Sequence, residues 1–271
     1  MQVKNSKGEM EFLRKGIRND RLFEREELSY KISKELGLNF IPPTKVVNDE
    51  KGGVGVLQES AQEYEQSKTP KSKVSLIDHK DMSWKNVMDT LDSGNGLDVA
   101  LFDFITGNTD RNGANFFIRP DNNKIIGIDN GLSFPAHKKD SLSSDSYKTE
   151  EVLWNSAFAS TKAKLSKSFI DKLKNPKTFS KITKLLLNSN IENESKFASL
   201  FRLSAVMEHI QKNKLEDFDS IDFVNVLTPF LKNMEIKDAK DKRFIETIDT
   251  HMKLGYESII NPKVKQARFF S

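Results

Sequence analysis

The stretch Leu101-Phe-Asp-Phe-Ile-Thr-Gly-Asn-Thr-Asp110-Arg-Asn-Gly-Ala-Asn115-Phe-Phe-Ile118 decides how this chain is read. An apolar-periodic run ends at Thr106-Gly107, a loop of small and polar residues comes next, and the chain enters a strand at Phe116. The loop places a carboxylate, Asp110, five residues before an amide, Asn115. Fourteen residues beyond Asn115, a second apolar strand, Ile125-Ile126-Gly127-Ile128, runs into Asp129-Asn130-Gly131. With Asp121-Asn122-Asn123 as its turn, the segment reads as a short hairpin carrying hard oxygen donors at its open end. An isolated Asp-x-x-x-x-Asn is common by chance and Asp-Asn-Gly is a routine surface turn. Their placement around one hairpin is what gives them weight.

Such a set of groups suits phosphoryl transfer. In a kinase catalytic loop an Asp accepts the proton of the attacking hydroxyl, and an Asn five positions later ligates Mg²⁺ at the nucleotide phosphates. Asp110 and Asn115 meet that spacing, and Asp129 is placed to reach the same ion. The expected cofactors are ATP and Mg²⁺, or Mn²⁺ in its place, with Asn115 and Asp129 as metal ligands and Asp110 as the group that orients the acceptor. Arg111 either neutralises phosphate or supports the loop through a salt bridge, two readings that weigh equally. Asn108 and Thr109 read as loop braces.

The rest of the chain bounds this reading. Its 271 residues suit one globular unit with two lobes, and 37% hydrophobic with 30% charged residues is too apolar for a disordered chain. With no Cys, disulfides, thiolate metal sites and Cys nucleophiles are excluded, and the four His, at 79, 137, 209 and 251, have no metal-ligand spacing. No run is long and apolar enough for a membrane span and no signal peptide is visible, so the expectation is a cytoplasmic protein or one delivered into a host cell as an effector. A net charge of +4 does not by itself point to nucleic acid, and a monomer is expected.

Along the chain, Gln2–Lys4 and Glu9–Arg14 read as a hairpin, and a helix starts near Leu22 on the spacing Leu22, Phe23, Leu28, Ile32, Leu36, stopped by Gly37 and Asn39. Phe40–Val47 and Val54–Gln58 read as strands. The predicted fold class is α+β: a small β-rich lobe over 1–62, a polar linker or exposed excursion over 63–83, and a mostly helical lobe over 84–271. Helices are expected at 84–92, 96–107, 166–187, 194–213, 219–233 and 241–259.

The motifs Asn108-Thr-Asp110-Arg111-Asn-Gly-Ala-Asn115-Phe-Phe-Ile and Ile128-Asp129-Asn130-Gly131-Leu132-Ser133-Phe134-Pro135 resemble the catalytic and metal-binding motifs of type II phosphatidylinositol 4-kinases and related bacterial lipid- or protein-kinase-like enzymes. The resemblance covers roughly residues 22–60 and 97–155, and implies a reduced two-lobed protein-kinase-like fold. By it, Arg25-Glu26 matches the start of the regulatory helix, Glu26 pairs with the phosphate-gripping Lys, and Gln58, Glu59 and Ser60 line the adenine hinge through their backbone. Lys15, at the end of a strand before that helix, is the candidate Lys, and Lys4 is the alternative. The chain departs from the pattern in one respect: only 14 residues and a single Gly, Gly8, precede Lys15, where a Gly-rich phosphate loop belongs. Either the N-terminus is trimmed, or a minimal kinase covers the phosphates differently, or the chain is a pseudokinase that only binds.

Two acceptors are compatible with the resemblance. A phosphoinositide head group fits the lipid enzymes, but their palmitoylated Cys-rich anchor has no counterpart here, and peripheral membrane contact would fall to basic stretches such as Lys162–Lys177 and Lys263–Phe270. The same basic surface could take an inositol polyphosphate as regulator. A protein hydroxyl is the favoured acceptor, and a non-catalytic binding module is the reading from a different class.

Overall fold

Thirteen described elements alternate between short antiparallel strands and helices, and the way they share one core sets the position of the hairpin. The structure, a computed structural model, describes residues 3–5, 8–10, 12–13, 20–48, 53–61, 77–78, 94–108, 111, 115–119, 122–135, 163–219, 222–223 and 226. The strands are β1 (Val3–Asn5), β2 (Gly8–Met10), β3 (Phe12–Leu13), β4 (Thr44–Asn48), β5 (Val54–Gln58), β6 (Ile77–Asp78), β7 (Phe116–Arg119) and β8 (Lys124–Gly127). The helices are α1 (Asp20–Glu35), α2 (Gly96–Thr106), α3 (Lys167–Lys174), α4 (Pro176–Leu187) and α5 (Asn193–Lys212). The fold is α+β. The expected helices at 84–92 and 241–259, and nearly all of that at 219–233, lie outside the described residues.

Three small sheets form, β1-β2, β3-β5-β4 and β6-β7-β8, all antiparallel. The expected N-terminal hairpin is present as Val3↔Met10 and Asn5↔Gly8, but its second arm divides, because Phe12 and Leu13 pair with Leu57 and Val56 of β5 instead. Within the stretch expected as a linker, Ile77 and Asp78 pair with Ile118 and Phe117, so part of it is a third strand beside the hairpin. Two residues in a polar, Lys-rich context carry no periodicity from which to read a strand.

Helix α1 buries Phe23, Leu28 and Ile32, with Leu36 buried just past its end, and packs against β4, β5 and α4. Its apolar residues belong to the same continuous core as α2 (Leu97, Val99, Leu101, Phe102, Ile105), the hairpin (Phe116, Ile118, Ile125) and α3 to α5 (Phe169, Leu173, Ile182, Leu186, Leu200, Leu203, Val206, Ile210). Helix α2 is buried all round, as expected for a helix with core on every side. It ends at Gly107, which takes a left-handed φ of 65° and donates its N–H to the carbonyls of Asp103 and Phe104.

The span expected as one helix over 166–187 is two helices broken at Asn175-Pro176. Asn175 caps α4, its side chain accepting from Lys177 N–H at 3.0 Å, and Pro176 takes the first helical position, where its missing N–H costs nothing.

Candidate phosphate and metal site at the open end of the β7–β8 hairpin

Strands β7 and β8 pair from Arg119↔Lys124 at the turn to Phe116↔Gly127 at the open end. The ladder continues one step further, with Ile128 N–H donating to the Asn115 carbonyl at 2.9 Å. Asn115 and Asp129 are thereby brought to the same end of the hairpin. Asn115 is buried and Asp129 half-buried. Asp129 has φ of 51°, in the left-handed region that a residue bearing a Cβ enters at a cost of about 1 kcal/mol.

The turn after Asp129 is held from two sides. Asn130 N–H donates to Glu26 Oε2 at 2.8 Å, and its side-chain oxygen accepts from Arg111 Nη2. Ser133 N–H closes the turn on the Asn130 carbonyl at 3.0 Å. Gly131 lies against α1, where a Cβ would stand 3.4 Å from Glu26 Oε1 and 3.5 Å from the Leu22 carbonyl. Leu22 and Glu26 are one helical turn apart, so α1 presents one face to this turn.

Arg111 is the hub of the site. Its Nε and Nη2 donate to both oxygens of Asp103, each at 3.0 Å, in the fork geometry that suits a carboxylate. Nη1 bridges the carbonyls of Asn115 at 3.0 Å and Ile128 at 2.9 Å, one a metal-ligand candidate and the other the residue before Asp129. Asn108 Nδ2 adds a bond to Asp103 at 3.2 Å. The Arg111 and Asp103 side chains are only 2% and 3% exposed. Burial pushes the Asp103 carboxyl above its ordinary range, opposed first by the charge of Arg111 and then by the hydrogen bonds from Arg111 and Asn108.

Gly127 completes the packing: its N–H donates to the Phe40 carbonyl at 2.8 Å, and a Cβ there would meet the Phe40 ring at 3.0 Å and Arg111 Nη1 at 3.1 Å. The backbone of Phe40, just before β4, is thus tied to the strand that leads to Asp129. Between β4 and the end of β5, Gln58 Nε2 donates to Thr44 Oγ1 at 2.8 Å, and Glu59 N–H donates to the Pro43 carbonyl at 2.9 Å. Gln58, Glu59 and Ser60 are half-buried there.

The structure therefore brings together Asn115, Asp129, Arg111 and Glu26. Asp110 and Lys15 lie outside the described residues, as does the side chain of Lys4. The sequence reading missed Asp103 and Asn130. Asp103 had a signal: a lone carboxylate within Leu101-Phe102-Asp103-Phe104-Ile105, in a helix too apolar to expose it, requires a buried cation as partner. Asn130 had none, because Asp-Asn-Gly reads as a turn whatever its second side chain touches.

Among the described residues no group of three or more His, Cys, Asp or Glu is placed to hold a metal alone. The donor set of one amide and one carboxylate fits a hard ion that takes its remaining ligands from phosphates and water, as Mg²⁺ does.

No family model matches the chain, and no curated protein does. Among solved structures, the chain is similar to a Helicobacter pylori proinflammatory kinase, CtkA, at 14% identity and a TM-score of 0.38, with 84% of this chain and 90% of that one covered. A superposition at that level does not bear on the chemistry of the site.

Proposed function

We propose that this chain is an ATP- and Mg²⁺-dependent phosphotransferase of the kinase type, with a protein hydroxyl as acceptor. The observation that carries the reading is the hydrogen bond from Ile128 N–H to the Asn115 carbonyl, which brings Asn115 and Asp129 to one end of the hairpin. Asp129 there adopts a left-handed backbone, which costs a residue bearing a Cβ.

In this reading Asn115 and Asp129 hold Mg²⁺ against the nucleotide phosphates, and the ion, when bound, neutralises charge on the transferring group. Asp110 takes the proton of the attacking hydroxyl. Arg111, whose Nε, Nη1 and Nη2 all donate to protein acceptors, acts as a positioning residue that fixes the carbonyls of Asn115 and Ile128. Glu26 sets the turn after Asp129. Gln58, Glu59 and Ser60 border the nucleotide, with Lys15 or Lys4 on its phosphates. A protein hydroxyl is the favoured acceptor, with a phosphoinositide head group as the alternative.

The reading is tested by offering γ-labelled ATP and Mg²⁺ to the purified chain with a cell lysate, phosphoinositide vesicles or inositol polyphosphates. Label on protein that is lost in Asp110→Ala is the expected result. Label confined to lipid would move the acceptor, and Mg²⁺-dependent nucleotide binding without turnover on any acceptor would reduce the chain to a binding module.

A further inference from the structure

Three consecutive residues of α1 make three separate long-range contacts. Glu24 Oε1 accepts Asn190 N–H at 2.6 Å, and Arg25 Nη2 donates to Glu192 Oε2 at 3.3 Å. Glu26 Oε2 accepts Asn130 N–H at 2.8 Å. The first two contacts reach the corner between α4 and α5, 166 and 167 residues further along the chain, and the third reaches the turn behind Asp129. Near the far end of α1, Glu35 pairs with Lys181 of α4 at 3.0 Å, so both halves of the helix are tied to the same helical pair. The Arg25 side chain is 1% exposed, a cost in desolvation that a residue serving only solubility would not carry.

We infer that the α4–α5 corner, through Glu24 and Arg25, sets the position of Glu26 and with it the turn that carries Asp129. Helix α1 is then a fixed strut between the corner and the site, and Asn190 and Glu192 are remote positioning residues. The physical basis is rigidity: within one helical turn, a displacement of Glu24 and Arg25 cannot be absorbed before Glu26. Coupling of this kind needs a contiguous physical element joining two ends, and α1 is that element. The inference rests on the reading of Asp129 as a site residue only for its consequence in catalysis. The mechanical link itself does not depend on it.

The link is read directly at the Asn130 amide, whose hydrogen is the one bonded to Glu26. In the double variant Glu24→Ala/Glu192→Ala, amide exchange of residues 127–134 is measured beside that of α2, which reports on the core. The expected result is that the Asn130 amide loses protection by roughly tenfold, the scale of one weakened hydrogen bond, while Leu101 to Ile105 stay protected. The pair Glu24→Gln/Glu192→Gln keeps both acceptors and restores protection. Unchanged exchange at Asn130 in the alanine variant would overturn the inference, because it would mean that the apolar face of α1 positions Glu26 alone. Should the alanine pair unfold, the single variant Glu24→Ala, which leaves Arg25 its partner, carries the same expectation at Asn130. If wild type binds no Mg²⁺–ATP, the functional proposal falls while this exchange result stands separately.

Discussion

At the scale of single residues, the Asp103–Arg111 pair has the most to lose. Both side chains are buried, and the guanidinium holds two carbonyls as well as the carboxylate. Arg111→Ala leaves a buried carboxylate without its cation and is expected to destabilise the fold by about 3–5 kcal/mol in chemical denaturation. Arg111→Lys recovers little, because a single ammonium cannot span both Asp103 oxygens and the two carbonyls. Replacing both partners, as Asp103→Leu with Arg111→Met, removes the stranded charge and is expected to be milder than Arg111→Ala alone.

Asp98 makes a second prediction at this scale. It sits in the first turn of α2, buried, with Ser166 N–H donating to Oδ1 at 2.8 Å, and burial raises its pKa from 3.8 to about 6. A carboxyl whose folded pKa exceeds its unfolded one binds more protons in the folded state between those values. Stability from this group is therefore full below about pH 4 and is lost as pH rises toward 6. A shift of about two units corresponds to about 3 kcal/mol. Asp98→Asn keeps the acceptor for Ser166 and is expected to exceed wild type in stability above pH 6, with the gap closing as pH falls toward 4. Urea titrations across pH 4 to 7 measure it, and parallel pH profiles would refute the assignment.

At the scale of elements, periodicity and punctuation explain what could be read and what could not. Helix α2, the β7–β8 hairpin, β5 and α5 lie within a residue or two of their expected bounds, because each has an apolar period and a clear stop such as Gly107 or Gly127-Ile128-Asp129. The Asn175-Pro176 break was equally present in the letters, as an Asn cap before a Pro, but the apolar spacing on either side reads through it. Asn175→Ala is expected to cost about 1 kcal/mol by loss of the cap to Lys177, a change visible in thermal unfolding. Strand β6 had no such signal, since pairing with β7 alone makes it a strand. Gly127 also belongs to this scale: Gly127→Ala drives a methyl against both the Phe40 ring and Arg111, and is expected to lower stability by about 1–3 kcal/mol while loosening the open end of the hairpin.

At the scale of the whole molecule, the core is continuous from α1 through the hairpin to α5, and the candidate site is where that core meets the end of a sheet. That Asn115 and Asp129 share one end of a hairpin was legible from spacing, because two short apolar strands with a turn between them lie between these two residues. Their supports were not. Asp103 with Arg111, Glu26 with Asn130 and Arg25 with Glu192 pair residues that only tertiary packing makes neighbours, the last two more than a hundred positions apart. The assignment of Glu26 shows the limit: the sequence reading expects it to face a Lys, whereas the structure adds the backbone N–H of Asn130, in the turn after Asp129, as its partner.

In the proposed function, Asn115 and Asp129 hold one Mg²⁺–nucleotide complex. Calorimetric titration of ATP into the chain, with and without Mg²⁺, compared between wild type and Asp129→Ala, tests it most directly. Mg²⁺ is expected to strengthen ATP binding to wild type, and Asp129→Ala to lose this gain while unfolding as cooperatively as wild type. Equal Mg²⁺ enhancement in a folded Asp129→Ala variant would contradict it.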